Sequence, residues 1–151
     1  MSVDFQDGDC YFYGSPVASS DVVGAYLVDV ARILEQKGYQ QATILLDRHS
    51  THQAKMKAHF RACCVQAGLL IEVNFVHFAA YSPWMNLVEY AIHLLRQRQL
   101  HHSSHKQDLA AVEARLDAYL AAHVLLTPEQ IVNTMAHIEK LLKERLKKAN
   151  L

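Results

Sequence analysis

The segment Ala42-Thr43-Ile44-Leu45-Leu46-Asp47 decides the fold class, because it is an uninterrupted apolar run closed by a single acid. Such a run is typical of a strand in a parallel sheet that is covered on both faces. Parallel strands need crossover connections, so helices are expected before and after this segment. The closing acid would lie at the edge where open α/β sheets bind their ligands.

Amphipathic patterns flank the apolar run on both sides. Ser20 is a candidate N-cap for a first helix, and Gly38 and Gly68 suit the ends of the first and second helices. Hydrophobic periodicity predicts these helices at residues 20–38 and 51–68, with strands at residues 10–13, 42–47 and 69–78.

Two helix starts are readable in the second half of the chain. Asn86 can cap a helix that runs to about Leu100, with Glu89 in the third position of a capping box. The segment Thr127-Pro128-Glu129-Gln130 opens an amphipathic helix with a basic end. The alternation of strands and helices predicts an α/β domain, with its core in residues 1–105 and a helical extension of the same domain in residues 106–151.

Composition excludes several classes of protein. The chain has 151 residues, of which 51% are hydrophobic and 20% are charged, as expected for one globular domain rather than a disordered chain. It contains no apolar run of the roughly 20 residues that a membrane span requires. Its acidic N-terminus is unlike a secretion signal, and three cysteines, two of them adjacent, fit a reducing cytoplasm.

The formal net charge of zero conceals an asymmetry along the chain. Residues 1–47 contain seven acids and two bases, a balance of −5, whereas residues 48–151 contain eight acids and thirteen bases, a balance of +5, and all ten histidines. A polyanionic partner is compatible with this distribution. From charge alone, the favoured explanation is an ordinary solvated face of lysines and arginines on the terminal helices.

Two acids carry the chemistry that the pattern suggests. Carboxylates from separate elements that meet at one sheet edge suit Mg²⁺, which takes oxygen ligands and bridges to phosphate. Asp47 and Glu89 are the candidates. The local alternatives are that Asp47 caps the following turn and that Glu89 pairs with His93 and Arg96 on its own helix face.

Two segments carry a family resemblance: LDRHSTH at residues 46–52 and FAAYSPWMNLVE at residues 78–89. They resemble the catalytic core of DDE transposases of the mariner-like insertion-sequence superfamily. That family has an Asp at a strand end with a His five residues later, which Asp47 and His52 match. A second family segment opens a helix and is matched by Tyr81, Ser82, Pro83, Asn86 and Glu89.

The resemblance implies a ribonuclease H-like mixed sheet flanked by helices and an enzyme that cleaves and transfers DNA strands in transposition. By that resemblance Asp47 and Glu89 are catalytic metal ligands for Mg²⁺ or Mn²⁺. His52 would position the loop or contact phosphate, and Arg96 and Arg98 would contact the DNA backbone. The DNA partner would be the transposon ends.

The resemblance covers the C-terminal catalytic portion of such an enzyme. Three parts of the family's proteins are not recognisable in the sequence: the first strand or strands of the fold, the first catalytic Asp and the DNA-reading helix-turn-helix. Asp4 is the one candidate to replace the first catalytic Asp. A partner polypeptide or self-association would then complete the site. The alternative function is a non-catalytic DNA-binding or assembly partner, or a remnant, of a split transposase. A weaker alternative is a metal site formed by histidines such as His49 and His52, or His101, His102 and His105.

Overall fold

A computed structural model of the chain describes residues 1–78, 85–100 and 108–149. The predictions made for residues 79–84, for the histidines at 101, 102 and 105 and for the boundary between residues 105 and 106 lie outside the described residues. The elements within them are β1 Ser2–Val3, β2 Cys10–Tyr11, α1 Ser20–Gln36, β3 Gln41–Leu46, α2 Ala54–Gln66, β4 Glu72–His77, α3 Leu87–Leu95, α4 Leu109–Ala122 and α5 Pro128–Ala149.

The predicted mixture of helices and strands is confirmed. Among the described residues, β1 pairs antiparallel with β2, and β3 pairs parallel with β4, so the strands form two small sheets of two strands each. The finer prediction of one ribonuclease H-like sheet stays a prediction.

The chain divides into two compact units. The strand–helix unit comprises the described residues 13–78, and the helical unit comprises residues 1–12, 85–100 and 108–149. The first is one continuous segment, whereas the second is assembled from both ends of the chain.

The strand–helix unit is built around the parallel pair β3–β4, in which Gln41 is in register with Glu72 and Leu46 with His77. Helices α1 and α2 pack against each other and over one face of this pair. The buried core they form consists of Leu27, Val28, Ala31, Leu46, Met56, Phe60 and Ile71.

The prediction that β3 is covered on both faces is wrong for the part of the chain that is described. Side chains alternate along the strand, so that Thr43 and Leu45 are exposed while Ile44 and Leu46 face the helices. The reason is that α1 and α2 both lie on the same face of the strand pair, so only that face of the apolar run is covered.

The ends of α1 follow from its sequence with a shift of one residue. The N-cap is Ser19 rather than Ser20, because the Ser19 hydroxyl accepts a hydrogen bond from the amide of Val22. The helix ends at Gln36, and Gly38 lies just past this end as predicted, with a φ of 90° in the left-handed region that glycine adopts without strain.

The second helix begins later than predicted. Residues Ser50–His52 form a 3₁₀ turn, and α2 starts only at Ala54. His49 caps this turn, since its ring Nδ1 accepts a hydrogen bond from the amide of Thr51 at 3.4 Å and lies 2.9 Å from the Thr51 hydroxyl.

The helical unit has its own core, in which the N-terminal hairpin packs against helices from the far end of the chain. Buried residues from α3, α4, α5 and the loop before α5 form it: Leu87, Ala91, Leu95, Leu116, Leu125, Leu126 and Ile131. Met1, Val3, Cys10 and Phe12 pack against this core from the hairpin.

The predicted start of α5 is confirmed at the level of single hydrogen bonds. The amide of Gln130 donates to the Thr127 hydroxyl at 3.2 Å, and the amide of Thr127 donates to the Gln130 side chain at 2.9 Å. This reciprocal pair is a capping box, with Pro128 in the first turn. None of the described helices has the length and hydropathy that a bilayer span requires.

Candidate functional site

Asp47 is the residue that follows β3, at the C-terminal end of the parallel pair. Its side chain is 47% exposed, so the carboxylate lies at the surface rather than in the core. This is the position that the sequence predicted for it, and it is the edge at which parallel sheets present functional groups.

One carboxylate oxygen of Asp47 is held by two donors. The backbone amide of His49 donates to Oδ1 at 2.9 Å, and Nδ1 of the His52 ring lies 2.5 Å from the same atom. The other oxygen, Oδ2, accepts no hydrogen bond from any residue of the described ranges. One oxygen of this carboxylate is thus fixed while the other is available to a ligand.

The contact with Asp47 also determines the proton arrangement of His52. An ionised carboxylate only accepts hydrogen bonds, so Nδ1 of His52 carries the hydrogen that is shared with Oδ1. In the neutral ring this leaves Nε2 as an acceptor, the arrangement by which a carboxylate orients a histidine for proton transfer or ligand binding. The His52 side chain is 22% exposed, and its ring meets the His49 ring in a T-shaped arrangement with the centroids 5.9 Å apart.

The electrostatics of the pair favour the ionised carboxylate. Partial burial by itself raises the pKa of Asp47, but the hydrogen bond from the His49 amide and the attraction to the His52 ring outweigh that effect. The net result is a pKa of Asp47 below its ordinary value of 3.8. Asp47 is therefore an anion throughout the physiological range, as a ligand for a cation must be.

Two residues that the sequence analysis did not single out hold the loop after β3 against the end of β4. The His77 ring donates from Nδ1 to the backbone carbonyl of Asp47 at 3.0 Å, and Nε of Arg48 donates to the carbonyl of Phe78 at 3.0 Å. The strand register would have identified His77, because the pairing of Leu46 with His77 places Asp47, the next residue, close to His77.

Glu89 lies in the first turn of α3 and is exposed. The predicted N-cap at Asn86 is confirmed, because its side chain accepts a hydrogen bond from the amide of Val88 at 3.1 Å, but the Glu89 side chain does not complete the predicted capping box. The Glu89 carboxylate forms neither a hydrogen bond nor an ion pair with a described residue, so the predicted pairing with His93 or Arg96 is not present there. Asp47 belongs to the strand–helix unit and Glu89 to the helical unit. Their proximity stays a prediction.

The two candidate arginines differ in their surroundings. Both are exposed and lie in the single π-helical turn Arg96–Leu100 after α3. The Arg98 guanidinium donates to the Tyr119 hydroxyl at 3.1 Å and approaches the Leu125 carbonyl at 3.5 Å, whereas the Arg96 guanidinium has no polar contact with the described residues. Arg98 therefore contributes to packing in its unit, and Arg96 is the arginine with an uncommitted guanidinium.

The described ranges contain no group of three or more His, Cys, Asp or Glu side chains arranged to hold a metal ion. Asp47 Oδ2 nevertheless has the chemistry of a ligand for a hard divalent cation, because it is an anionic oxygen without another described partner. Comparison of the chain with protein-family models, with curated proteins and with solved structures found no match.

Proposed function

We propose that this chain carries part of the catalytic core of a DDE-type transposase, which cleaves and transfers DNA strands. The observation that carries the proposal is the anchored carboxylate of Asp47. It follows a parallel strand, its Oδ1 is held by the His49 amide and the His52 ring, and its Oδ2 is available. A fixed and ionised carboxylate at such an edge is suited to binding a metal ion that acts on phosphodiesters.

The resemblance of residues 46–52 and 78–89 to the family's two segments supports the same proposal, together with its finer fold, a ribonuclease H-like sheet. In this proposal Asp47 and Glu89 are ligands of Mg²⁺ or Mn²⁺. The bound metal would activate a water or a 3′-hydroxyl for attack on a DNA phosphate.

The protein side chains have separate roles in this proposal. His52 acts as a positioning residue, because its hydrogen bond to Oδ1 fixes the direction in which Oδ2 points. His77 positions the same loop through the Asp47 carbonyl. Arg96 contacts the DNA backbone, which fixes the position of DNA without reading its sequence.

The first experiment asks whether Asp47 binds a divalent cation. Mn²⁺ is titrated into the isotope-labelled chain, and the broadening of backbone amide signals is followed residue by residue. Broadening is expected to be strongest around residues 47–52 and to disappear in Asp47→Asn. The matched control is Asp21→Asn, because Asp21 is 50% exposed in the same unit and is paired with Lys55 at 2.9 Å.

Broadening that is equal in the wild type and in Asp47→Asn would contradict the proposal. So would broadening that is lost in both Asp variants, because it would then reflect surface charge rather than the anchored carboxylate. His52→Ala adds a test of positioning. It is expected to weaken Mn²⁺ binding at Asp47 without removing it, since the ligand oxygen remains while its orientation is released.

A further inference from the structure

The outer edge of β3 has backbone groups that are directed away from the sheet. In the parallel pair, the amides of Glu72 and Phe78 donate to the carbonyls of Gln40 and Leu46. The even-numbered residues of β3 therefore direct their backbone groups toward β4. Because this direction alternates along a strand, the outward-facing residues are Gln41, Thr43 and Leu45. No described strand pairs with them.

This edge lacks the features that prevent strands from pairing with other chains. Proteins protect exposed edges with charged residues, proline, bulges or a covering element. The segment QATILL of β3 contains no charge, no proline and no glycine. Leu45 is 37% exposed, and Ala42 and Ile44 on the helix-facing side are only half-buried although they adjoin the core. The apolar core thus continues up to the open edge.

We propose that two copies of this chain associate through antiparallel pairing of their β3 strands, forming a four-stranded sheet across a two-fold axis at Thr43. A two-fold axis is the usual symmetry of homodimers, and it brings a strand edge against its own copy in antiparallel orientation. The proposal rests on the strand edge alone and is independent of the DNA chemistry proposed above.

The sequence of β3 is complementary to itself in this arrangement. Thr43 lies opposite Thr43 of the second copy, and Gln41 lies opposite Leu45, so that about six backbone hydrogen bonds form between outward-facing residues. Cross-strand threonine pairs are favourable, and no like charges meet because the strand carries none. On the helix-facing side, Ile44 lies opposite Ala42 of the second copy, which extends both apolar cores.

The interface formed by one strand from each copy is small, so the association is expected to be weak and to depend on concentration. Sedimentation velocity over a range from about 1 to 200 µM, which brackets dissociation constants in the micromolar range, measures the dimer fraction. The wild-type chain is expected to shift from monomer toward dimer as the concentration rises.

Charge variants at the two-fold axis make the test specific. Thr43→Lys and Thr43→Glu each place like charges directly opposite one another, so each variant alone is expected to stay monomeric at low salt. An equimolar mixture of the two variants is expected to recover the dimer, because lysine then faces glutamate. The matched control is Asn74→Lys, since Asn74 is in register with Thr43 on the same exposed face but lies on β4.

Four results would overturn the proposal: a wild-type chain that remains monomeric throughout, Thr43 variants that dimerise as the wild type does, a mixture that does not recover the dimer, or an Asn74→Lys chain that loses it. Circular dichroism and urea unfolding of each variant show that the chains compared are folded. Recovery of the dimer by the mixture cannot come from variants that fail to fold.

Discussion

Asp47 and His52 form a carboxylate–imidazole pair in which Nδ1 lies 2.5 Å from Oδ1 across five positions of sequence. The pair connects the end of β3 to the 3₁₀ turn that precedes α2. The same oxygen also accepts a hydrogen bond from the His49 amide, so Oδ1 of Asp47 holds both His49 and His52 in place. The loop is consequently shaped by the side chain that the proposed function uses.

The coupling between Asp47 and His52 is expected to depend on pH. A double-mutant cycle of Asp47→Asn and His52→Ala is expected to give about 1 kcal/mol at pH 7, less than a buried charge-assisted bond because both side chains are partly exposed. In the folded chain the pKa of Asp47 lies below its ordinary value of 3.8. The stabilisation is therefore complete well above pH 3.8, and it is lost as the pH falls through the lowered pKa of the folded chain. Urea unfolding at a series of pH values measures it, and a coupling that persists undiminished once the Asp47 carboxylate is protonated would contradict the assignment.

Nuclease activity of the isolated chain is expected to be low. The resemblance matches two of the family's three carboxylates, and two carboxylates hold a pair of metal ions incompletely. Nicking of supercoiled plasmid in Mg²⁺ or Mn²⁺ measures this activity. Efficient turnover that Asp47→Ala abolishes would contradict the prediction and would point to a third acid in the chain, such as Asp4 in the N-terminal hairpin, whose Oδ1 accepts from the Gln6 amide.

Arg96 and Arg98 are expected to affect different properties of the protein. Arg96→Ala is expected to weaken binding to any duplex and to reduce the slope of log affinity against log salt by about 0.9, without changing stability. Arg98→Ala is expected to lower stability as well, because it removes the hydrogen bonds to Tyr119 and Leu125. Fluorescence anisotropy on two unrelated duplexes, with urea unfolding of each variant, separates the two effects.

The control for the arginine comparison is Gln97→Ala, an uncharged change at an exposed position of the same turn. A strong preference for one duplex would contradict binding through the backbone alone. Undetectable DNA binding even at about 50 mM salt, where backbone contacts are strong, would favour the assembly-partner function over the catalytic one.

Gly8 and Gly38 offer a matched pair for testing the packing of the hairpin. Both have φ in the left-handed region, at 83° and 90°. A Cβ on Gly8 would meet the Leu126 carbonyl, whereas one on Gly38 would meet nothing within 4 Å. Gly38→Ala is expected to cost about 1 kcal/mol from backbone strain, and Gly8→Ala at least about 2 kcal/mol more. If urea unfolding gives equal losses of unfolding free energy for the two variants, the hairpin accommodates the added methyl group without cost, which would contradict the prediction.

Local sequence signals predicted much of the secondary structure. Amphipathic periodicity located α1 and α2, the alternation of Val73 and Phe75 with exposed residues located β4, and side-chain caps located α3 and α5. These features depend on interactions within a few residues, and such interactions are readable from the chain itself.

Features that depend on distant residues were missed. Strand β1 has only two residues, and its pairing with β2 follows from the turn between them rather than from any periodicity. The exposed face of β3 was missed because an apolar run does not tell on which side the helices pack. At the site, the spacing of Asp47 and His52 was recognised, but His77 enters only through the register of two strands that are 31 positions apart.

The assembly of the helical unit from both ends of the chain has a consequence for synthesis. The elements of the strand–helix unit, from α1 to β4, are all synthesised before α3, whereas Val3 and Phe12 must await the buried core that α3, α4 and α5 supply. At translation rates of 5–20 residues per second, roughly ten seconds separate the hairpin from its core. During that interval the apolar side chains of the newly made hairpin are open to chaperones, and truncated products that end before α3 leave them uncovered.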